Sequence, residues 1–215
     1  FMQECWRALE SAGYAASELA GSRTGVFVGC KGADYQLRLQ TQDLDKLEVT
    51  DSHLFGGNDV SMLPARMAYF LDLRGPAVPI NTACSSSLVA LHMACESLAS
   101  GQCELAIAAG VEFMTTPGLF VSMASSEALS RAGSCNAFSD DSDGLVLGEG
   151  ACVVVLKPLA QALADGDHIR GLIRASGINQ DGKSAGINAP NGDAQTKLEI
   201  AVYERAGINP AELGY

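Results

Sequence analysis

The chain has 215 residues, of which 47% are hydrophobic and 18% are charged, a composition typical of a folded globular protein. Its net charge of −11, without any cluster of lysine and arginine, argues against nucleic-acid binding. No apolar run is long enough to span a membrane and no signal peptide opens the chain, so we expect a cytoplasmic protein without membrane contact.

Cysteine usage points to a reducing compartment. The seven cysteines are an odd number, and no two of them form a C-x-x-C pair. Several lie within apolar runs, as buried free thiols do. We therefore predict neither a disulfide framework nor a zinc site.

The first half of the chain alternates between helical spacing and short apolar runs. Its first residues place Phe1, Cys5 and Leu9 on one helical face, and Gly13 ends that helix. Because nothing caps the start, we expect the chain to be a segment of a longer protein. The pattern then predicts a buried strand at 24–28, a polar excursion at 31–57 with a short helix near 41–47, a helix at 61–71, a strand at 77–80, a helix at 86–98 and a strand at 105–111.

The second half continues this alternation after a long loop. Residues 114–150 are rich in loop-forming residues, with a short helix near 120–129, and are followed by a buried strand at 152–156, a helix at 159–164, a strand at 169–175 and a helix at 193–206. Strands that alternate with helices predict a layered α/β fold. No low-complexity linker interrupts the pattern, so we predict one domain over residues 1–215, incomplete at both ends.

A cysteine stands where the strand at 77–80 turns into the helix at 86–98, within NTACSSS (81–87). The first N–H groups of a helix lack intrahelical partners and carry partial positive charge, which favours the nucleophilic thiolate. The helix has no fully polar face, so we expect it to be buried and to hold the cysteine rigidly. Cys84 is therefore a candidate catalytic nucleophile, and the alternative of a small core residue stays open at this point.

Two short motifs in a glycine-rich loop resemble active-site patterns. GINQDGKS (177–184) has the spacing of a phosphate-binding loop, and GKSAG (182–186) has that of a nucleophile elbow. Both sites require a helix directly after the motif. Glycines and Pro190 follow instead, so no helix can begin before about Asp193. We interpret both motifs as features of a loop.

Other charged and titratable residues have structural interpretations. Glu149 lies between two glycines, and we expect it to be partly buried and to fix a loop as an ion-pair partner or backbone acceptor. The aspartates at 140, 141 and 143 are typical of a solvated acidic loop. His92 follows Cys84 by eight residues on the same predicted helix, about 12 Å along the axis, which is too far for it to act as the base.

The residues around Cys84 resemble a known family. The stretch TACSSSLVALHMACESLASGQCELAIAAGV (82–111) is closely similar to the active-site region of β-ketoacyl synthases, especially the ketosynthase domains of modular polyketide synthases. The similarity covers the whole chain in a constant order, through GSRTGVFVG (21–29), ARMAYFLDLRGP (65–76), DG…GEG (143–150), ALADGD (162–167), NQDGKS (179–184) and APNGDAQ (189–195).

The resemblance implies the thiolase-like fold, in which two similar halves stack as five α-β-α-β-α layers, and a homodimer. It implies an acyltransferase whose nucleophile, here Cys84, accepts an acyl chain from the thioester of an acyl carrier protein. A malonyl-type extender on another carrier then loses CO₂ and attacks the acyl-cysteine. The N–H of Cys84 is implied to be one oxyanion-hole donor.

The same resemblance implies which partners and cofactors to expect. The substrates travel on the phosphopantetheine arm of the carrier protein, so no bound cofactor and no metal are implied. The other expected partners are the further domains of a multidomain synthase.

The first departure from the family pattern is an absence. The two catalytic histidines of the family lie in an E-A-H-G-T-G-T segment and a later G-H motif, and neither motif is present. His53, His92 and His168 align with neither. We therefore expect the chain to hold the N-terminal half with the nucleophile and the start of the C-terminal half, and to be able at most to become acylated.

The second departure is local. Ser139, Leu145 and Leu147 replace the Asp, Tyr and Arg that the family has in the loop at 137–150. We expect this loop near the entrance to the active site, so the change concerns substrate choice and carrier-protein contact, and not the chemistry of Cys84.

Several other functions stay open from the sequence alone. A fatty-acid-type synthase would share fold and mechanism, although the NQDG and APNG loops favour the polyketide type. A non-elongating ketosynthase would pass acyl chains on without condensing them. A nucleotide-binding protein would need a helix after GINQDGKS, and a non-catalytic acyl-binding or scaffold protein would be indifferent to Cys84→Ala.

Overall fold

The computed structural model describes residues 1–32, 34–35 and 53–214. Its strands are β1 (Thr24–Gly29), β2 (Ala77–Ile80), β3 (Leu105–Glu112) and β4 (Gly150–Leu156). Its helices are α1 (Met2–Ala12), α2 (Ala16–Leu19), α3 (His53–Asn58), α4 (Met62–Phe70), α5 (Ser86–Ala99), α6 (Gly118–Ser125), α7 (Leu159–Asp165) and α8 (Gly192–Ala206), with a 3₁₀ turn at Pro210–Glu212. The helix predicted near 41–47 lies outside the described residues. Among the helices described, none has the length and apolar character needed to cross a membrane.

The four strands form one mixed sheet in the order β2-β1-β3-β4. β1 is parallel to β2 and β3, and its Val26 stands between Ala77 and Ile107. β4 is antiparallel to β3, with Val154 opposite Ala108. The carboxyl ends of the three parallel strands therefore lie at one edge of the sheet.

Helices cover both faces of this sheet. On one face, Leu9 of α1 and Met67 of α4 pack in a cluster with Val26. On the other, Ala90 and Ala94 of α5 pack in a cluster with Phe27. β1 is buried along its whole length, because successive side chains of a strand point to opposite faces and both faces are covered. The described residues thus form three α-β-α layers of the five that the resemblance implies.

A charged cluster joins the end of α1 to the region around α7. The ammonium of Lys157 donates to the hydroxyl of Tyr14 (2.8 Å) and to the carboxylates of Asp167 (2.7 Å) and Asp165 (2.5 Å). Tyr14 follows Gly13, which ends α1 in the left-handed conformation at φ 84°. Burial lowers the pKa of Lys157, but these hydrogen bonds outweigh it and raise the pKa above its usual value.

α5 differs from its prediction. The sequence predicts a helix buried on every face, yet its buried residues are the small ones, Ser86, Ala90, Ala94 and Ser97, and Leu88 is 70% exposed. The small residues face the sheet, where the helix axis approaches closely, and Leu88 points away from it. The prediction of a fully buried helix is therefore wrong for the described residues.

β4 and the segment after α7 also differ from their predictions. β4 is half-buried, because successive side chains point to opposite faces of the sheet: Val153 and Val155 pack against the core on one face, while Cys152 and Val154 are exposed on the other. Residues 169–175 do not form the predicted strand. Within the described ranges no strand pairs with them, and an isolated strand without a partner is not stable.

Candidate active site

Cys84 lies in the turn between β2 and α5 and is exposed. The end of β2 is held to the sheet by the N–H of Cys30, which donates to the carbonyl of Ile80 (2.9 Å). α5, a helix of 14 residues, begins two residues after Cys84. The predicted strand–turn–helix context is therefore confirmed, and among the described residues Cys84 is not part of the core. Cys84 directly precedes Ser85, the N-cap of α5, and the first N–H groups of a helix carry partial positive charge.

The buried hydroxyl of Ser86 holds the turn from inside. It accepts a hydrogen bond from the N–H of Thr82 (2.9 Å) and donates one to the carbonyl of Ala83 (2.6 Å). Ser86 is only 7% exposed, so water competes little for these bonds. One side chain thus fixes the two residues that precede Cys84, an arrangement that we call the Ser86 clamp.

The clamp holds a strained backbone. Ala83 adopts the left-handed conformation with φ 58°, which costs a residue with a side chain about 1–2 kcal/mol. The side-chain oxygen of Asn81 accepts from the N–H of Ala83 (3.1 Å), and the hydroxyl of Ser85 donates to the carbonyl of Thr82 (2.8 Å). Strain maintained by surrounding hydrogen bonds is a property of preorganised sites.

Sequence reasoning identified Cys84 but missed the role of Ser86. The three serines after the cysteine enter the sequence argument only as part of the family motif. A signal was available, because a serine at the first position of a helix can bond the backbone of the preceding turn. Which of the three serines is buried, however, depends on how α5 meets the sheet.

The loop after β1 is joined to the loop after β3 at the same edge of the sheet. One carboxylate oxygen of Asp34 accepts from the N–H (3.1 Å) and hydroxyl (2.5 Å) of Thr115, and the other accepts from the N–H (2.8 Å) and hydroxyl (3.1 Å) of Thr116. Bonding by the Thr115 hydroxyl, supported by the other donors, lowers the pKa of Asp34 to about 2. This carboxylate organises the residues that lead into α6.

Two further charged contacts complete this edge. Lys31, which lies two residues after β1, forms an ion pair with Glu112, the last residue of β3. Glu149 accepts from the N–H of Met114 (2.5 Å), so its predicted role as a loop-fixing backbone acceptor is confirmed. It is exposed, however, and not partly buried as predicted.

The acidic loop is organised by its own backbone. Asp143 is exposed and accepts from the N–H groups of Arg131 (3.0 Å) and Ala132 (3.2 Å). A hydrogen bond from Ser130, together with these N–H groups, lowers its pKa. Leu145, one of the positions that depart from the family pattern, is exposed, and its N–H donates to the carbonyl of Ala128 (2.8 Å).

Neither of the two histidine side chains that the structure describes is hydrogen-bonded to Cys84, so neither is placed to act as its base. His92 lies on α5, and its Nδ1 is 2.8 Å from the hydroxyl of Ser176. His168 is exposed and directly follows Asp167, a residue of the cluster at the end of α1. The side chain of His53 lies outside the described residues.

The glycine-rich loop does not have the geometry of a phosphate-binding loop or a nucleophile elbow. After GINQDGKS the next helix is α8, which begins at Gly192. The hydroxyl of Ser184 donates to the carbonyls of Gly186 (2.7 Å) and Ala189 (2.8 Å), so it fixes the loop itself. The prediction that a helix begins only near residue 193 is confirmed.

An exposed cysteine just before a helix that packs on a mixed α/β sheet is the arrangement implied by the resemblance to β-ketoacyl synthases, and comparison with known proteins shows this family. Residues 1–162 match the β-ketoacyl synthase N-terminal domain, and residues 170–215 match the β-ketoacyl synthase C-terminal domain. The chain belongs to the β-ketoacyl synthase family. Its fold is the thiolase-like fold of that family.

The relatives found include long polyketide synthases. The chain is 47% identical, over all of its 215 residues, to polyketide synthase ThaG of Burkholderia thailandensis, of which it covers 4%. It is 43% identical over 211 residues to reducing polyketide synthase ppsB of Aspergillus oryzae, covering 98% of this chain and 8% of the relative. The chain thus spans only a small part of the curated relatives it matches.

Solved ketosynthase structures superimpose closely on the chain. The ketosynthase from module 6 of the bacillaene synthase of Bacillus subtilis 168 matches 98% of this chain with a TM-score of 0.88 and 43% identity, and 35% of that protein is covered. The oxazolomycin ketosynthase domain OzmH KS7 of Streptomyces albus JA3453 matches 100% of this chain with a TM-score of 0.89 and 37% identity, and 38% of it is covered. The chain therefore corresponds to about a third of these chains.

Proposed function

We propose that this chain is part of the ketosynthase domain of a polyketide synthase, an acyltransferase that carries growing acyl chains on Cys84. The observation that carries the proposal is the exposed Cys84 in a turn locked by the Ser86 clamp at the start of α5. A rigid, accessible thiol next to helix N–H groups is suited to attack a carbonyl carbon. The similarity to polyketide synthases over the whole chain supports the substrate class.

The reaction has two steps. In the first, the thiolate of Cys84 attacks the carbonyl carbon of an acyl thioester on a carrier protein, the new S–C bond forms, and the carrier thiolate leaves. The N–H of Cys84 stabilises the oxyanion of the tetrahedral intermediate. In the second, a malonyl-type extender loses CO₂, its carbanion forms a C–C bond to the acyl carbon, and the thiolate of Cys84 is released. The histidines that the family resemblance implies for this second step are not among the 215 residues.

The proposal extends to the partners. Acyl carrier proteins deliver both substrates on phosphopantetheine, so the domain needs no resident cofactor or metal. The proposal also includes a homodimer, further domains of the same synthase as partners, and a cytoplasmic location. The great length of the matched relatives supports the multidomain setting. We further propose that residues 1–215 hold the N-terminal half of the domain and the start of its C-terminal half.

The experiment measures acylation of Cys84 directly. The purified protein is incubated with a butyryl thioester of N-acetylcysteamine, and its intact mass is followed with time beside that of Cys84→Ala. We expect a gain of one butyryl group that Cys84→Ala abolishes, since this thiol is the proposed nucleophile.

Matched controls come from two other exposed cysteines. Cys135→Ala and Cys152→Ala remove thiols that the structure also exposes, and both variants should be acylated like the unchanged protein. A mass gain that persists in Cys84→Ala and disappears in a control would show that the control cysteine, and not Cys84, is the acylated residue. A folded protein without any gain would favour the non-catalytic scaffold function.

A further inference from the structure

We propose that Gly29 and Gly110 are positioning residues for Cys84: they form a seat on the sheet that sets the height of the first turn of α5. This inference rests on the proposed function of Cys84. Gly29 ends β1, and Gly110 is its register partner on β3. The two glycines therefore lie side by side at the carboxyl edge of the sheet.

The first turn of α5 contacts this seat directly. A Cβ atom built on Gly29 would lie 2.5 Å from the carbonyl carbon of Ser86 and 2.5 Å from the nitrogen of Ser87. A Cβ atom built on Gly110 would lie 2.6 Å from the Cβ of Ser87. Non-bonded carbon atoms prefer about 3.5–4.0 Å. Neither glycine can carry a side chain without displacing the start of the helix.

A displacement of this turn reaches Cys84 by a short path. Ser86 rests on Gly29, and its hydroxyl holds Thr82 and Ala83, the two residues before Cys84. Raising Ser86 or Ser87 by several tenths of an ångström therefore moves or breaks the Ser86 clamp. A misplacement of about 1 Å in a catalytic group can lower a rate roughly 100-fold.

The two glycines meet different kinds of atoms, and this difference makes the inference testable. Gly110 faces a side-chain atom, the Cβ of Ser87, whereas Gly29 faces backbone atoms. Ser87→Gly removes the atom that an alanine at 110 would strike, but leaves the atoms that an alanine at 29 would strike.

The experiment measures acylation by the butyryl thioester in four proteins. Two carry a single substitution, Gly110→Ala or Ser87→Gly. The double variant combines these two substitutions, and the fourth protein combines Gly29→Ala with Ser87→Gly. We expect the rate at saturating thioester to fall at least 10-fold in Gly110→Ala with little change in KM. The double variant should react at the rate of Ser87→Gly alone. The protein that combines Gly29→Ala with Ser87→Gly should stay slow. Gly171→Ala is the matched control, because a Cβ there meets no atom within 4 Å.

Alkylation of Cys84 by iodoacetamide separates this inference from the proposed function. If the unchanged protein is alkylated but never acylated, the proposed function fails, and the alkylation rates of the same variants still test the seat. A Gly110→Ala protein that reacts like the unchanged one overturns the inference. So does a folded double variant that stays as slow as Gly110→Ala. If Gly110→Ala does not fold, the double variant decides: recovery supports the seat, and failure to recover overturns it.

Discussion

The Ser86 clamp gives the sharpest quantitative prediction. Ser86→Ala removes a hydroxyl that makes two hydrogen bonds to backbone groups, at 2.9 and 2.6 Å. A hydrogen bond of this kind contributes about 1 kcal/mol net, so the loss is about 2 kcal/mol. The left-handed conformation of Ala83 costs about 1–2 kcal/mol. The clamp and the strain nearly balance, so in Ser86→Ala the strain is opposed only by the remaining bonds of the turn, among them those of Asn81 and Ser85.

We expect two linked effects in Ser86→Ala. The free energy of unfolding should fall by about 2 kcal/mol, measured by denaturant titration. Because about 1.4 kcal/mol corresponds to a factor of ten, acylation of Cys84 should slow by roughly 10–30-fold, measured by intact mass against time. Ser85→Ala is the matched control, since the exposed Ser85 hydroxyl also bonds Thr82 but should cost less than about 1 kcal/mol.

A second change tests whether strain at Ala83 is the cause. Ala83→Gly removes the conformational strain, so adding it to Ser86→Ala should restore much of the lost stability. The reasoning is refuted if folded Ser86→Ala is acylated as fast as the unchanged protein, or is slowed no more than Ser85→Ala.

Two further predictions concern the supports around the site. Bonding by Thr115 and Thr116 lowers the pKa of Asp34 from 3.8 to about 2, so its stabilising effect is present above pH 4 and is lost as the pH falls toward 2. In denaturant melts, the deficit of Asp34→Asn should therefore shrink between pH 5 and pH 2, and a constant deficit would contradict this. Lys157→Met removes a mostly buried ammonium from Asp167 and should lower the free energy of unfolding by about 2 kcal/mol, visible as a lower Tm, whereas an unchanged Tm would show that the cluster contributes nothing.

Element positions near Cys84 were predictable because the local signals agree there. The run 77–80 becomes β2 with unchanged bounds, and the helix predicted at 86–98 ends one residue later. Gly13 and Gly207 end α1 and α8 in the left-handed conformation, as their positions in the sequence indicate. These features depend on short-range periodicity and on backbone preferences of single residues.

The remaining features depend on contacts that periodicity does not encode. The sequence places apolar residues on all sides of α5. The packing of the helix against the sheet is what buries Ala90 and leaves Leu88 exposed. Residues 169–175 have the composition of a strand and lack a strand to pair with within the described ranges. The seat at Gly29 and Gly110 needs the parallel register of β1 and β3, although a glycine near the carboxyl end of each strand was visible in the sequence.

The antiparallel direction of β4 has a consequence for engineering. Because β3 ends and β4 begins at the same edge, Glu112 and Gly150 are register partners, and the bond from Met114 to Glu149 closes the excursion between them. Halving the length of such a loop changes its closure free energy by only about 0.6 kcal/mol. Residues 118–148 can therefore be exchanged as a cassette between fixed anchor points, while the sheet that carries those anchor points stays intact.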